Sequence, residues 1–577
     1  MTNKRHSVPV ENQFRGEVSR RDLIKRAAAA GVAASVGAAA LTHGASAAPG
    51  SVHRSTARHQ ADAKTLVILD NMSGGSWLYY DPAVIYEINP AAGFNLVYET
   101  LYHLPDNTKL TDFQPLLADG MPEYSADGLS ATIKLRKGVK FHNSGNEMKA
   151  ADWLFSWNRL VALQGNPAFL FTDTLKSVEA VDDHTLKLTL LAPNAALTAI
   201  LAAIPMSVTD SVVLKTHGGV DANATPVVSG GALDPVTEWF NAGNSAGTGP
   251  HRVTGWDISS EVTLEVFADY WGEKSKLDRV IFRNVADPNT QLQLIQTGEA
   301  DLAFALDPDS AAKIKADPTL QILESQSLAY EYLALQTDPT VGGPMANKQV
   351  RQAIAHAVDY DGIITNLTGG AAVRPATVVP LGLLGANEIK DLAFKTDLAM
   401  AQKLFDASGV GPVELTLTWG SGALTPAGLG RDTLAPKLKQ DLEKIKGLTI
   451  KLTPMDPAQR LADYRNGKLQ FTMSDWSPDF PDVHSYAQPF GHKGGAAAKR
   501  VHYANPEVDA LIDQGIKELD ATKRKQLYID AQKLILDDVP FIVEFQPNYR
   551  CPASMKVQGV QPHGVYILQL RFASKTA

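Results

Sequence analysis

From Thr65 onward the chain alternates short β-like runs with helix-like runs, almost to its end. That alternation implies an α/β architecture with mixed sheets. Thr65 to Leu69, Ala131 to Leu135, Val262 to Phe267, Arg279 to Val285, Leu415 to Trp419 and Leu448 to Leu452 read as strands. Val178 to Leu191 reads as two strands turning at Asp182-Asp183. Helical spacing runs over Ala150 to Leu160, Asn289 to Gln296, Asn347 to Asp359, Leu434 to Ile445, Asn505 to Leu519 and Lys523 to Leu536. Asp397 to Ala407 is a further helix, closed by Gly409. Apolar residues from Phe94 to Tyr102 also fall at helical spacing, and Val139 to His142 reads as a strand. Phe541 to Phe545 is predicted to be a strand that returns the chain. A helix-rich second lobe, entered once and left once, is the simplest arrangement of these elements.

A chain of 577 residues is too long for one ordinary core, so more than one domain is expected. The net charge of −8 argues against a general nucleic-acid binder, which needs a basic face for phosphates. The single cysteine, Cys551, allows no intrachain disulfide and no four-cysteine metal site. Its surroundings, Asn548-Tyr549-Arg550-Cys551-Pro552, read as a strand end holding a small half-buried residue. His142 has no histidine four residues away and no Cys/His cluster near it, so it reads as a packed or capping side chain. The chain contains no P-loop, no G-x-G-x-x-G and no H-E-x-x-H. No metal ligand set, cofactor or catalytic residue is therefore assigned.

The first 47 residues read as an address. Ser19-Arg20-Arg21-Asp22-Leu23-Ile24-Lys25 resembles the twin-arginine export motif, with Arg20 and Arg21 as the pair. An Ala/Gly-rich apolar run from Ala27 to Leu41 follows, about 15 residues and short of the ~20 that span a bilayer. Ala45-Ser46-Ala47 is a small-x-small cleavage site. No cysteine lies near it, so the mature protein is expected to be non-lipidated and free in the periplasm. Seven Lys/Arg and three Asp/Glu lie within 1–47, leaving −12 on the remainder. Residues 48–64 are small and polar and read as a disordered leader.

From Thr65 on, the order of landmarks resembles the family 5 extracellular solute-binding proteins, the dipeptide, oligopeptide, nickel and opine receptors of ABC importers. The matching blocks include Asp81-Pro82-Ala83, Val97-Tyr98-Glu99-Thr100-Leu101, Pro115 to Ala118, Lys134 to His142 and Lys149 to Trp153. They continue through Gly247-Thr248-Gly249-Pro250, Asp269 to Gly272, Thr297 to Asp301, Val350 to Ile354 with Ala357 to Asp359, and Tyr503 to Asp509. Most of these blocks read as scaffold, with Gly249-Pro250 a turn that uses glycine's freedom and proline's fixed φ.

The resemblance implies a two-lobed periplasmic-binding-protein fold of type II, in its large class with an extra N-terminal subdomain. Two crossing segments would join the lobes. The expected divisions are 65–329 as lobe I with a subdomain at about 84–214, 330–544 as lobe II, and 545–577 returning to lobe I. The implied partners are a peptide or other amine-bearing small molecule, the importer's permease and ATPase, and the Tat translocase. No nucleic acid is expected, and the protein is expected to be a monomer.

Trp476-Ser477-Pro478-Asp479-Phe480-Pro481-Asp482 resembles the family's W-x-x-D segment. On that match Trp476 lines the pocket and Asp479 accepts an α-ammonium by charge-assisted hydrogen bonds. Asp482 is a second carboxylate candidate. Tyr330 and Tyr332 fall where the family's first crossing strand borders the cleft. Trp419, with Trp77, Tyr79 and Tyr80, follows a strand, where sites gather in open α/β sheets. The family fold does not fix the ligand. An opine, an oligosaccharide or a metal chelate stays open, as does a sensory or chaperone-like role; a hydrolase is the remaining alternative.

Overall fold

The computed structural model describes residues 63–576 apart from 73–76, 78, 86–89, 107, 222–233, 305–307 and 424. The leader, its Arg20-Arg21 pair and nearly all of 48–64 lie outside the described residues.

The organising element is one long mixed sheet. Its first strand, β1 (Thr65–Asp70), is buried along its whole length, as its unbroken apolar run requires of a strand covered on both faces. A separate four-stranded sheet follows in the chain, in the order β2 (Glu123–Tyr124), β3 (Ser130–Lys134), β5 (Thr185–Leu190), β4 (Leu175–Asp182). Helix α1 (Ala150–Leu163) packs on it, and Trp153, Trp157 and Leu160 enter its core. The chain then returns to the long sheet with β6 (His251–Asp257), β7 (Glu261–Val266), β8 (Arg279–Asn284), β9 (Leu302–Ala303) and β10 (Leu320–Gln326). β1 runs parallel to β8 and β9.

The second half opens with β11 (Tyr330–Leu335), all six residues buried. Helix α2 (Lys348–Ala357), β12 (Ala372–Val373), β13 (Val413–Gly420), α3 (Arg431–Leu442), β14 (Leu448–Met455) and β15 (Phe471–Trp476) come next. Helices α4 (His484–Gly491), α5 (Pro506–Gly515) and α6 (Ala521–Asp538) lead into the last long strand, β16 (Phe541–Ser554). The sheet order is β14-β13-β15-β11-β16-β9-β1-β8-β7-β6, with β10 and β12 also paired to β16.

β16 belongs to both halves. Its first residues pair with β11, Phe541 opposite Ala334 and Val543 opposite Tyr332. Gln546 and Pro547 pair with β12, and Asn548 to Ser554 pair with β10. β10 and β11, joined by Ser327–Ala329, therefore lie along successive stretches of one strand. At that junction the Ser327 hydroxyl donates to the Pro547 carbonyl at 2.7 Å, and the Gln546 amide donates to the Ser327 carbonyl at 2.6 Å. A bulge between Glu331 and Tyr332 leaves Glu544 as the extra residue on β16.

Separate apolar clusters fill the two halves. One gathers around β1, β8 and the end of β16, with Leu66, Val280, Phe282 and Ala553. Another gathers around β11 and β13, with Leu333, Ile354, Leu417 and Phe545. The four-stranded sheet has its own core, which also takes in Phe480 from the second half. The Ala195 N–H donates to the Ile516 carbonyl at 2.8 Å, a second direct bridge from that sheet's side to the second half.

Charged groups are buried where they tie elements together. Arg159 on α1 forks onto Asp81 at 2.8 and 2.6 Å and onto Asp234 at 2.8 and 2.7 Å, all three nearly inaccessible. His142 is a packed side chain: its Nε2 lies 2.8 Å from the Gly249 carbonyl and its Nδ1 3.2 Å from the Ser245 hydroxyl. Burial pushes its pKa down to about 4.

Several local expectations change. The helix expected from Phe94 is Ala91–Val97, ending where Tyr98 turns extended. Val139–His142 makes only an isolated bridge at Lys140. Phe541–Phe545 extends to Ser554, because β12 and β10 pair with its continuation through Pro547 and Pro552. Cys551 thus sits mid-strand, fully buried, with its thiol raised to about 12 by burial. Gly247 and Gly249 do not take positive φ. They are needed because a Cβ at either would collide with the carbonyls of Val97 and Leu96.

Candidate functional site

β15 ends at Trp476, and Ser477–Val483 carries the chain from its C-terminal end into α4. Two of its residues, Asp479 and Asp482, anchor that loop. The Ser485 hydroxyl accepts the Asp479 N–H at 3.2 Å. Asp482 accepts the His484 N–H at 2.7 Å and is gripped by Arg524 on α6 at 2.9 and 2.7 Å.

Above the loop lies a cavity of about 510 Å³, within the range of small-molecule sites. One wall comes from the four-stranded sheet's side, with Phe169, Leu170, Asp173 and Thr174 and the turn Leu191 to Asn194. The facing wall comes from the second half, with Trp476, Asp479, His484, Gln488 and Arg500. A smaller space of about 90 Å³, lined mainly by apolar side chains, adjoins it and shares Leu170 and Asp479. The cavity therefore opens between two bodies, and Asp479 stands where its two chambers meet.

The polar equipment is sparse, as in most ligand sites. Trp476 packs edge-on against Phe490, with ring centroids 5.1 Å apart. Its indole N–H is buried and has no hydrogen-bond partner among the described residues. The Arg500 guanidinium lies 5.1 Å from the Tyr464 ring centre and 5.9 Å from that of Trp476. His484 shares a hydrogen bond with the Tyr528 hydroxyl at 2.9 Å. Burial, joined by the positive charge of Arg524, lowers its pKa to about 4, so it faces the cavity uncharged.

Of the residues singled out from sequence, Trp476 and Asp479 reach the cavity wall. Tyr330, Tyr332, Asp482 and Trp419 do not. Tyr330 pairs with Trp476 across the sheet, but Tyr486 and Phe490 of α4 cover it and Tyr332. The Tyr332 hydroxyl bonds that of Tyr464 at 3.0 Å. Asp482 is a strut: burial raises its carboxyl, and Arg524 outweighs that and holds it below the usual range. Trp419 is buried and donates to Asp432 at 2.5 Å. Trp77 is likewise buried, donating to Asp70 at 2.6 Å, and Tyr80 is packed against Phe94.

Sequence reasoning missed the first-half wall and Arg500. The wall had a weak signal in Pro193-Asn194, whose Asn194 side chain accepts the Ala196 N–H at 2.8 Å in a local turn. Arg500 closes a short helix, Ala496–Arg500, and nothing in its neighbours marks it. Among the described residues no group of three or more His, Cys, Asp or Glu side chains is placed to hold a metal ion.

Comparison with known proteins completes the picture. Residues 112–498 match the family model for bacterial extracellular solute-binding proteins, family 5 middle region. A probable D,D-dipeptide-binding periplasmic protein of Escherichia coli K12 is 26% identical over 505 residues, covering 87% of this chain and 92% of that protein. Heme-binding protein A of Haemophilus influenzae is 28% identical over 538 residues, covering 88% and 92%. The solved structure of HbpA2 from Haemophilus parasuis superposes with a TM-score of 0.75 at 24% identity, covering 89% of this chain and all of that one.

Proposed function

The chain belongs to the bacterial extracellular solute-binding proteins of family 5, with their two-lobed α/β periplasmic-binding-protein fold, and from that premise we propose that it captures an amine-bearing small molecule, a peptide first, and hands it to an ABC importer. It is a binding protein and not an enzyme. The observation that carries the ligand reading is the cavity with Asp479 and Trp476 on its wall. A carboxylate on the wall of a cleft binds an ammonium by charge-assisted hydrogen bonds, and the indole face supplies apolar area. Relatives whose names specify D,D-dipeptide and glutathione support a peptide, and one named for heme marks the family's breadth.

The same reading assigns 65–329 and 545–577 to lobe I, 84–214 to its subdomain and 330–544 to lobe II. It assigns the leader to twin-arginine export, delivery to the periplasm without a lipid, and action as a monomer with the permease and ATPase of the importer.

The test is thermal shift and calorimetry with a pooled set of free dipeptides. The wild type should be stabilised by ligand. Asp479→Asn should weaken binding roughly tenfold to a hundredfold, by loss of a charged hydrogen bond. Trp476→Ala should weaken it through lost packing, whatever the ligand's charge. If Asp479→Asn binds as tightly as wild type while Trp476→Ala does not, the ammonium reading is wrong and a neutral ligand replaces it.

A further inference from the structure

The cavity contains a cation that the protein leaves without an anion. Arg500 is half-buried and lines the main chamber. Among the described residues its guanidinium has no carboxylate within ion-pair distance and donates no hydrogen bond. It is held instead by two aromatic faces, Tyr464 at 5.1 Å and Trp476 at 5.9 Å. Its backbone is also fixed, since the Arg500 carbonyl accepts from the Gln336 amide at 3.3 Å. Three more deeply buried arginines of this half are satisfied by the protein, whereas Arg374, half-buried like Arg500 and also without a carboxylate among the described residues, lies over the Tyr360 ring at 3.3 Å and away from the cavity. Arg524 grips Asp482, Arg431 grips Glu331, and Arg351 is surrounded by backbone carbonyls.

Aromatic contact orients a guanidinium without neutralising it. The fork of N–H groups remains available to a planar anion. A second donor lies beside it: the Trp476 indole N–H, buried and without a partner among the described residues. A buried donor left unmatched costs stability unless something supplies the acceptor. Two unspent donors next to each other on one cavity wall call for an oxygen-rich anionic group, and a carboxylate fits the fork in two-point fashion.

We infer that Arg500, assisted by the Trp476 indole N–H, receives a ligand carboxylate, so that the cavity reads an amino-acid-derived zwitterion by both of its charges. The inference rests on reading this cavity as the ligand site, with Asp479 taking the ammonium end. Free peptides and opines share the chemistry, a carboxylate and a basic nitrogen in one small molecule.

Calorimetry on the full mature chain decides the matter with four probe sets: pooled dipeptides with free termini, the same dipeptides as C-terminal amides, the same as N-acetyl derivatives, and the opines octopine and nopaline. Free dipeptides or opines should bind, and the amides should bind roughly tenfold to a hundredfold more weakly. Arg500→Gln should weaken the free acids by a similar factor and leave the amides unaffected. Arg500→Lys, which keeps the charge but not the fork, should fall between and serves if the glutamine variant folds poorly. Amides binding as tightly as acids would overturn the assignment of Arg500 and leave Asp479 standing. N-acetyl dipeptides binding as tightly as free ones would overturn the ammonium reading and leave Arg500 standing. Opines binding in an Arg500-dependent way, with dipeptides silent, would support the carboxylate site and fix its source. Silence from all four sets would overturn the inference.

Discussion

Burial next to a charge decides the behaviour of single residues here. Glu331 and Glu544 face each other in the bulge between β11 and β16, both fully buried. Arg431 forks onto Glu331 at 2.7 and 2.8 Å, whereas neither oxygen of Glu544 has a hydrogen-bond partner among the described residues. Burial raises Glu331 to about 8 against the pull of Arg431, and Glu544 is pushed well above the usual range by burial and by Glu331. The two-point contact with Arg431 keeps the charge on Glu331, so the proton rides on Glu544. A carboxyl whose pKa is higher folded than unfolded makes the folded state the better proton binder. Stability is then fully present below about pH 4.5, the ordinary glutamate value, and declines as pH rises above it toward the raised value of the folded state, by about 1.4 kcal/mol for each unit of raised pKa. Glu544→Gln, which keeps the neutral shape, should flatten that decline and be the more stable chain at pH 8. Denaturant unfolding at pH 5, 6.5 and 8 checks it, and parallel curves for the two chains would dismiss it. None of this was legible beforehand. Residue type and neighbours could mark Trp476 and Asp479, but not that α4 would cover Tyr330 and Tyr332 or that Arg524 would claim Asp482.

At the scale of elements, the strands and helices read by pattern were mostly where the pattern put them, because each had a clear apolar signature. α1 and β7 carry a single apolar stripe, β1 and β8 an unbroken apolar run. The failures have physical reasons. β16 looked like five residues because Gln546, Pro547 and Asn548 interrupt its apolar run, yet its pairing with β12 and β10 carries it to Ser554. Tertiary pairing, not local preference, sets its length. The joint between α1 and the segments holding Asp81 and Asp234 was equally hidden, since its three charges lie 75 and 78 residues apart. It carries a prediction. Arg159→Met would strand two carboxylates in the interior and should cost about 3–5 kcal/mol. Urea unfolding should show the midpoint fall with the slope unchanged, as expected when stability alone moves. A loss below about 1 kcal/mol would mean the carboxylates escape to solvent, and the joint is weaker than drawn.

At the scale of the molecule, the returning strand and the two-body plan were legible from the order of landmarks, and the wall that the first half lends to the cavity was not. That wall depends on how the halves meet, which no local pattern encodes. The two connections between them run side by side, at Ser327–Ala329 and Gln546–Pro547, stapled by the Ser327 and Gln546 hydrogen bonds. Neighbouring connections favour rotation about one axis over sliding. A cognate ligand should therefore contract the molecule, and X-ray scattering with and without the best-binding dipeptide should report a smaller radius of gyration at saturation. An unchanged radius would count against a hinge.

The backbone bridge from Ala195 to Ile516 spans the two walls of the chamber. Its consequence is kinetic. If that bridge closes the chamber, its breaking adds the same step to the departure of every ligand, while the contacts each ligand makes with the two walls still set how fast it leaves.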